Sequence, residues 1–364
     1  MANYKTVAVP NSQLSDMNIS LDTSFAPDLR PQMVYDRALL EILRQSEFKW
    51  EDFGQKKNLP KNSGTDTINF RKFGKLEPAL TPLTEGITPA PVTASKTSVT
   101  GKVSQYGQWM AFTDVVSFRE HDPIIASYTE ELSYSAKETM DIIVRDIISY
   151  GTQVRYAQNY TYDSNGRVTG YDNKGNTTPT DPVISRDKLA PENLANLRDF
   201  RKIVRDLRKN HVRPVSEGKY IAYIDEDTKF DLMDDPTFQK FMDYGSTNKP
   251  MYDNEVATIF GIRFLVVTNS RVIPAGVDPD GAGSEVAAPA NTDVHCSIVL
   301  GRNAFGVTGV EGHNAPKMII KKLGSAGTED PLDQRHTIGW KLDQFGAVRL
   351  EEQAIVRYEH AVSA

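Results

Sequence analysis

The sequence predicts an α+β protein in which a long helix, an extended two-stranded ribbon and a mixed module of strands and helices follow one another along one chain. Three observations carry this. Residues 124–150 contain neither proline nor glycine, and Ile125, Tyr128, Leu132, Ala136, Met140, Ile143 and Ile147 recur there at steps of three and four. Two runs of strand-like density flank a proline-rich stretch at 78–91. Between about 190 and 315 short strands alternate with short helices, the pattern of a mixed α/β or α+β module.

Residues 1–32 are rich in Ser, Asn, Asp and Pro with apolar residues scattered singly, which predicts an extended arm. From Pro31 to Gln45, Tyr35, Ala38, Leu39, Ile42 and Leu43 form the stripe of a short helix. The runs Thr65–Phe73 and Thr97–Phe112 then predict a ribbon whose tip is stiffened by Pro78, Pro82, Pro89 and Pro91. Such a ribbon is marginal alone in water, so it must lie on its own chain or on a neighbour.

His121-Asp122-Pro123 supplies a cap and a first-turn proline for the long helix, expected over 123–150 and roughly 40 Å in length. Residues 160–182 switch to turn chemistry, with Asn165-Gly166 as a hairpin signal. A second helix is expected over 191–211, with Leu194, Leu197, Ile203, Val204 and Leu207 inward and Arg198, Arg201, Lys202, Arg205 and Arg208 outward. Strands at 219–224, 262–268 and 295–300, a helix at 228–243 and a flexible insertion at 274–293 complete the module. Strand-like runs at 317–323, 335–342 and 353–359 close the chain.

The totals bound the function. At 364 residues the chain exceeds the usual size of one core, and 39% hydrophobic with 25% charged residues is ordinary for a soluble protein. A net charge of −6 argues against a protein that coats nucleic acid by neutralising phosphates. Cys296 is the single cysteine, so no intrachain disulfide or cysteine-rich zinc site can form, and intracellular folding is expected. No apolar run approaches the roughly 20 residues of a membrane helix, and the first residues lack the pattern of a secretory signal.

Catalytic signatures fail one by one. His121, His211, His295, His313, His336 and His360 form no HExxH pair, and His295 beside Cys296 at the head of an apolar strand is expected to be core packing rather than a nucleophile. The Asp-rich turns at 163, 172 and 278 hold Lys174, Val183 and Pro289 where a calcium loop needs glutamate. The P-loop, GxSxG and strand-to-helix GxGxxG signatures are absent. Asp225-Glu226-Asp227 with Asp231, Asp234 and Asp235 offers ligands for a divalent metal, but acids at this spacing suit the start and flanks of a short helix better. The basic face of 198–209 offers a phosphate site or a subunit contact, against the plainer reading as the wet side of an amphipathic helix. In the stretch DPLDQRHTIGWK, Asp330 and Asp333 with Arg335 are expected to fix a turn into a strand on which Ile338 and Trp340 share a face; His336 has no assigned role.

An ordered set of motifs adds a resemblance. PLTEG at 82–86, VSQYGQWMAFTD at 103–114, HDP at 121–123, VLGRNAFGV at 299–307, DPLDQR at 330–335 and GWK at 339–341 together resemble the major capsid proteins of N-four-like tailed phages, themselves similar in fold to the Hong Kong 97-type capsid protein. The resemblance implies an N-terminal arm at 1–60, an extended loop (the E-loop) at 61–112, a peripheral domain at 113–190 with 315–364, and an axial domain at 191–314. It implies no catalysis and no cofactor or metal. It implies self-assembly into hexamers and pentamers of an icosahedral shell in the virion, built in the host cytoplasm around double-stranded DNA without sequence-specific binding.

The implied partners are other copies of the chain, a portal protein, a separate scaffolding protein and a possible decoration protein, with no membrane. Phe73, Lys75, Glu85, Lys96, Lys102, Trp109, Arg198, Arg205, Asp330, Asp333 and Arg335 are the candidate subunit contacts. Lys96 and Lys102 lie in the ribbon, though nothing singles them out for a covalent crosslink. The alternatives are a decoration or tail protein of a virion, and a metal-dependent hydrolase built on the acidic cluster near Asp227.

Overall fold

The structure, a computed structural model, describes residues 50–364 except 62–63, 75, 81, 84, 87, 89, 115–123, 165–166, 177, 217, 236–237, 239–254, 279–285, 312–314, 323–331, 333 and 364. The expected arm at 1–32, the helix at 31–45, the Asp122-Pro123 helix start, the Asn165-Gly166 turn and the middle of the 274–293 insertion lie outside the described residues.

The strands are β1 (Gln55–Leu59), β2 (Thr67–Phe73), β3 (Lys96–Lys102), β4 (Ser104–Thr113), β5 (Val154–Tyr156), β6 (Tyr160–Tyr162), β7 (Val168–Tyr171), β8 (Tyr220–Ile224), β9 (Glu255–Ile259), β10 (Ile262–Val266), β11 (Arg271–Ile273), β12 (Val294–Leu300), β13 (Phe305–Val310), β14 (Lys317–Lys321), β15 (Arg335–Arg349) and β16 (Ile355–His360). The α-helices whose bounds fall among the described residues are α1 (Ile124–Ser149), α2 (Leu197–Lys209) and α3 (Glu226–Asp234).

A seven-stranded mixed sheet runs β5-β16-β12-β8-β10-β9, with β11 also on β12. Its central β8, YIAYI, is buried at every position because both faces are covered. Tyr220, Ala222 and Ile224 join Phe200, Ile203, Val204 and Leu207 of α2 and Leu232 of α3 in one core. Ile221 and Tyr223 join Leu132, Ala136, Val144 and Ile148 of α1 in another. That second core also takes Phe305, Val307, Ile338, Trp340, Leu342 and Phe345, so α1 is packed against both large sheets.

The other sheet runs β1-β13-β15-β14, with β4 pairing along β15. Strand β15 runs on to Arg349, seven residues past the expected end at 342, with its register against β4 shifting between Leu342 and Phe345. A bulge of this kind bends a strand without ending it, which lets one long strand pair with β14 over 337–341 and with β13 over 345–349.

The ribbon differs from expectation in extent. β2 pairs with β3 only, and the chain leaves the ribbon at the buried Val103 to place β4 against β15. Val103 packs with Leu59, Ile68 and Phe70 against Val310, Val348 and Leu350, which anchors the base, each fully buried apolar side chain contributing about 1.5–3 kcal/mol. Beyond that base the excursion exposes Leu76, Leu80, Leu83 and Val92.

Capping sets the helix boundaries. α2 begins at Leu197 rather than 191 because the Asn196 side chain accepts from Asp199 N at 2.9 Å, while Leu194 is held in a bridge to Ala361. α3 begins at Glu226, capped by Asp225, and ends at Asp234, since Asp235 precedes a proline and is extended at ψ 118°; Phe238 is helical again, and the rest of the expected stretch to 243 lies outside the described residues. On α1 the buried positions of the second half are Asp141, Val144, Ile148 and the terminal Ser149, the first three one residue on from the expected Met140, Ile143 and Ile147, which are half-buried.

Candidate functional site

The candidate contacts of the ribbon sit where a neighbour could reach them. Phe73 and Lys96 are paired across its outer end, just before Gly74 N donates to Ser95 O at 2.8 Å, and Phe73 is 73% exposed. Glu85, near the tip, and Lys102, opposite Thr67 at the base, are exposed as well. Lys75, Asp330 and Asp333 lie outside the described residues, so the expected fork of Arg335 onto those acids does too. Arg335 is exposed and opens β15, and Ile338 and Trp340 are buried together on one face of it.

Trp109 behaves differently from Trp340 although the two lie on adjacent paired strands. Trp109 stands opposite Gly339 and is 69% exposed, whereas Trp340 stands opposite Gln108 and is buried in the core below. A Cβ on Gly339 would lie 2.8 Å from Trp109 Cβ and 2.9 Å from Gln108 O. Glycine there lets the two strands approach closely. Around it is a shallow cavity of about 540 Å³ with Ile319, Lys321, Thr337 and Lys341 in its walls.

The basic face of α2 is partly occupied by its own chain. Arg198 and Lys202 lie 5.3 and 4.5 Å from the Tyr160 ring centre. Arg205 pairs with Asp206 at 3.2 Å, and Asp206 also takes Arg155. Asp199, inward on the same helix, accepts from Tyr160 Oη and from Gln158 N at 3.1 Å; burial pushes its carboxyl up despite these bonds.

The acidic run resolves into a cap and a latch. Asp225 accepts from Thr228 N at 2.8 Å, and its other oxygen bonds His295 Nδ1. Burial would raise the Asp225 carboxyl, but the bond to His295, helped by the Thr228 bond and the charge of His295, outweighs it and holds it at about 2; His295, which burial alone would lower, is raised by Asp225. Asp231 accepts from Ser363 N at 3.1 Å and from the Ser363 hydroxyl, which fastens the chain after β16 to α3.

Among the described residues, Asp225, Asp227 and His295 are the one group whose ligand atoms come within 4.8 Å of one another in the manner of a metal site. Asp225 and His295 are already bonded to each other there, and the pair is 70 positions apart in sequence, so no local spacing could have announced it. Cys296 points into the core, where burial raises its thiol to about 12, far from a nucleophile's range. His360 Nδ1 donates to Ala361 O at 3.0 Å, which leaves Nε2 to accept from the Ser297 hydroxyl at 2.9 Å.

A buried charge cluster around Glu359 is likewise a tie between segments. Arg186 forks onto Glu359 with 2.8 and 2.7 Å contacts, Arg357 pairs with the same carboxylate at 2.8 Å, and Arg186 also donates to Val286 O at 2.6 Å.

Comparison with known proteins gives a consistent picture. The model of a family described as phage capsid protein matches residues 96–358, well over half of the chain. No curated protein matches. The fold is similar to the capsid asymmetric unit of cyanophage Pam1, at 14% identity and a TM-score of 0.64 over 95% of this chain and 100% of that one. It is similar to the capsid of Ralstonia phage GP4, at 12% identity and a TM-score of 0.64 over 95% and 99%. A third similar structure is the capsid of Helicobacter pylori bacteriophage KHP30, at 11% identity and a TM-score of 0.64 over 95% and 99%.

Proposed function

Because this chain belongs to the phage capsid protein family, as a major capsid protein that forms the virion shell, we propose that it assembles as hexamers and pentamers around packaged double-stranded DNA. In this reading 1–60 is the N-terminal arm, 61–112 contains the extended loop, 113–190 with 315–364 is the peripheral domain and 191–314 the axial domain, with β5 and β16 crossing into the sheet of the axial part and β13 into the sheet of the peripheral part. The observation that carries it is the ribbon. Its base is packed by Ile68, Phe70 and Val103, while Phe73, Leu80, Leu83 and Val92 beyond the base are exposed on the lone chain. A two-stranded excursion with apolar residues in water needs a surface to lie on, and a neighbouring subunit in an obligate interface of about 2,000–5,000 Å² supplies one.

Phe73, Lys75, Glu85, Lys96, Lys102 and Trp109 are the contacts proposed for that ribbon and its root. Arg198, Arg205, Asp330, Asp333 and Arg335 are proposed for the body. The net charge of −6 suits a container that holds DNA without sequence-specific binding. A portal protein, a separate scaffolding protein and a possible decoration protein are the further partners, with assembly in the host cytoplasm. Expression of the full chain followed by negative-stain imaging is the test: shells, tubes or capsomers support the reading, and a strictly monomeric product, even with scaffold co-expressed, sinks it.

A further inference from the structure

We propose that the outward face of α3 in one copy docks into a basic cavity on α2 of the next copy, an inference that rests on the shell-forming role above and names one of its contacts. The cavity measures about 480 Å³ and is lined by Arg201, Val204, Arg205, Arg208, Lys209 and Phe260. Four of these are cations, none is a carboxylate, and Val204 and Phe260 give it an apolar part. Arg201 lies 4.4 Å over the Phe260 ring centre, and Phe260 and Gly261 both take positive φ, 52° and 80°, in the tight β9–β10 turn that carries the ring. Asp206 beside Arg205 takes up part of that charge, though it is shared with Arg155.

The face that fits it lies on the same core of the same module. Glu226 and Asp227 lie four and three residues before Phe230, and Met233 and Asp234 three and four after it, so the five share one side of α3, and all five are exposed. Phe230 is 63% exposed, unusual for a phenyl ring on a helix whose other side is packed. Lys229 bonds Glu226 at 2.9 Å, and the face remains negative with Asp227 and Asp234. An aromatic knob ringed by acids thus matches a cavity with an apolar part ringed by cations.

One copy cannot make this contact with itself. Asp235, at the end of α3, lies against the start of α2, its Oδ2 3.5 Å from Leu197 N, whereas the cavity spans Arg201 to Lys209 on the later turns. At about 1.5 Å per residue, Arg205 stands roughly 12 Å further along the helix than Leu197. The two patches are different surfaces, so pairing them between copies is a head-to-tail contact, the kind that closes into rings.

Charge reversal tests it. One full-length variant carries Arg205→Glu with Arg208→Glu, another carries Asp227→Lys with Asp234→Lys, and a third carries all four changes. Thermal melts confirm that each chain folds, and sedimentation with negative-stain imaging measures the rings. Each two-site variant alone is expected to lose capsomers at least tenfold. The four-site chain is expected to recover them. A mixture of the two variants is expected to recover even-membered rings only, because unlike copies must alternate. Wild-type rings are expected to weaken at about 1 M salt, where screening shortens to about 3 Å. If a two-site variant fails to fold, the four-site chain and the salt response decide the matter. Two-site variants that assemble like wild type, or a mixture and a four-site chain that both fail to recover, overturn the contact while leaving the shell role standing. Wild-type chain that forms no assembly overturns the shell role itself.

Discussion

The backbone N–H of Trp50 donates to Oδ1 of Asp141, 3.0 Å away and 91 positions along the chain, in the middle of the core that joins α1 to both large sheets. Asn269 completes the tie, donating to Asp141 Oδ2 at 2.6 Å while accepting from Trp50 Nε1 at 2.7 Å. A carboxylate on the buried ridge of the helix therefore clamps the chain just before β1 to the turn after β10.

That clamp has a pH signature. Burial pushes Asp141 up to about 6, although the bonds from Asn269 and Trp50 favour its charged form. A folded-state value above the unfolded one means that the folded chain holds this proton more tightly, so the penalty is complete above about pH 6 and fades as pH falls toward 4. His360 works the other way: burial lowers it, so its contribution is lost as pH falls below about 6.5. Comparing Asp141→Asn with wild type isolates the first term. The variant's Tm relative to wild type should be more favourable at pH 7 than at about pH 5, and a difference that stays constant over that range would refute the assignment.

Arg186 and Glu359 predict a large loss from one substitution. Both side chains are buried, at 2% and 0% exposure, and the pair joins the segment before α2 to the last strand. Arg186→Ala leaves Glu359 with Arg357 alone and removes the donor to Val286 O. Breaking a buried pair from one side costs about 3–5 kcal/mol, to be read as a lower midpoint in chemical denaturation. Arg186→Lys should recover only part of it, since an ammonium cannot fork. A loss below about 1 kcal/mol would show that water or relaxation replaces the guanidinium.

Gly339→Val should separate β4 from β15. The added side chain would begin 2.8 Å from Trp109 Cβ and 2.9 Å from a backbone oxygen of the partner strand, which neither can yield without moving the strand. Overpacking of this kind costs about 1–3 kcal/mol, and the amides of 106–112 should exchange faster with solvent than in wild type. Unchanged protection across β4 would show that the pairing does not depend on the bare backbone.

Much of this architecture was legible because it is local. The helix over 124–149 follows from an uninterrupted stretch without proline or glycine, and β8 and β12 show as continuous apolar runs because both of their faces are covered. The misses are non-local. β1 is polar and exposed over QKKN, and it is a strand only because it pairs in parallel with β13, some 250 residues on. β13 itself, FGVTGV, carries two glycines and shows little strand character by composition. Asp225 reads as a helix cap from its neighbours, while its second bond, to His295, exists only after β12 has taken its place in the sheet. For the contact residues, exposure separates candidates that look alike in sequence. Trp109 and Trp340 are both tryptophans in strand-like runs, and the pleat sends one outward and the other inward.

Trp109 therefore gives the sharpest test of a surface held for assembly. An exposed indole contributes little to the fold of a lone chain, so Trp109→Ser should change unfolding free energy by no more than about 0.5 kcal/mol, whereas Trp340→Ser, in the core, should cost about 3–5 kcal/mol. In assembly the order should reverse in meaning: Trp109→Ser should yield folded protein that forms few capsomers or shells, and Trp340→Ser should fail earlier, as unfolded or aggregated chain. Buried aromatic anchors are where interface energy concentrates, and a loss of about 2 kcal/mol or more per contact multiplies over every copy in a shell. Melts of the isolated chain and imaging of the assembled product, run on both variants, measure the two effects separately. Normal shells from Trp109→Ser would remove the residue from the contact surface and leave its exposure unexplained.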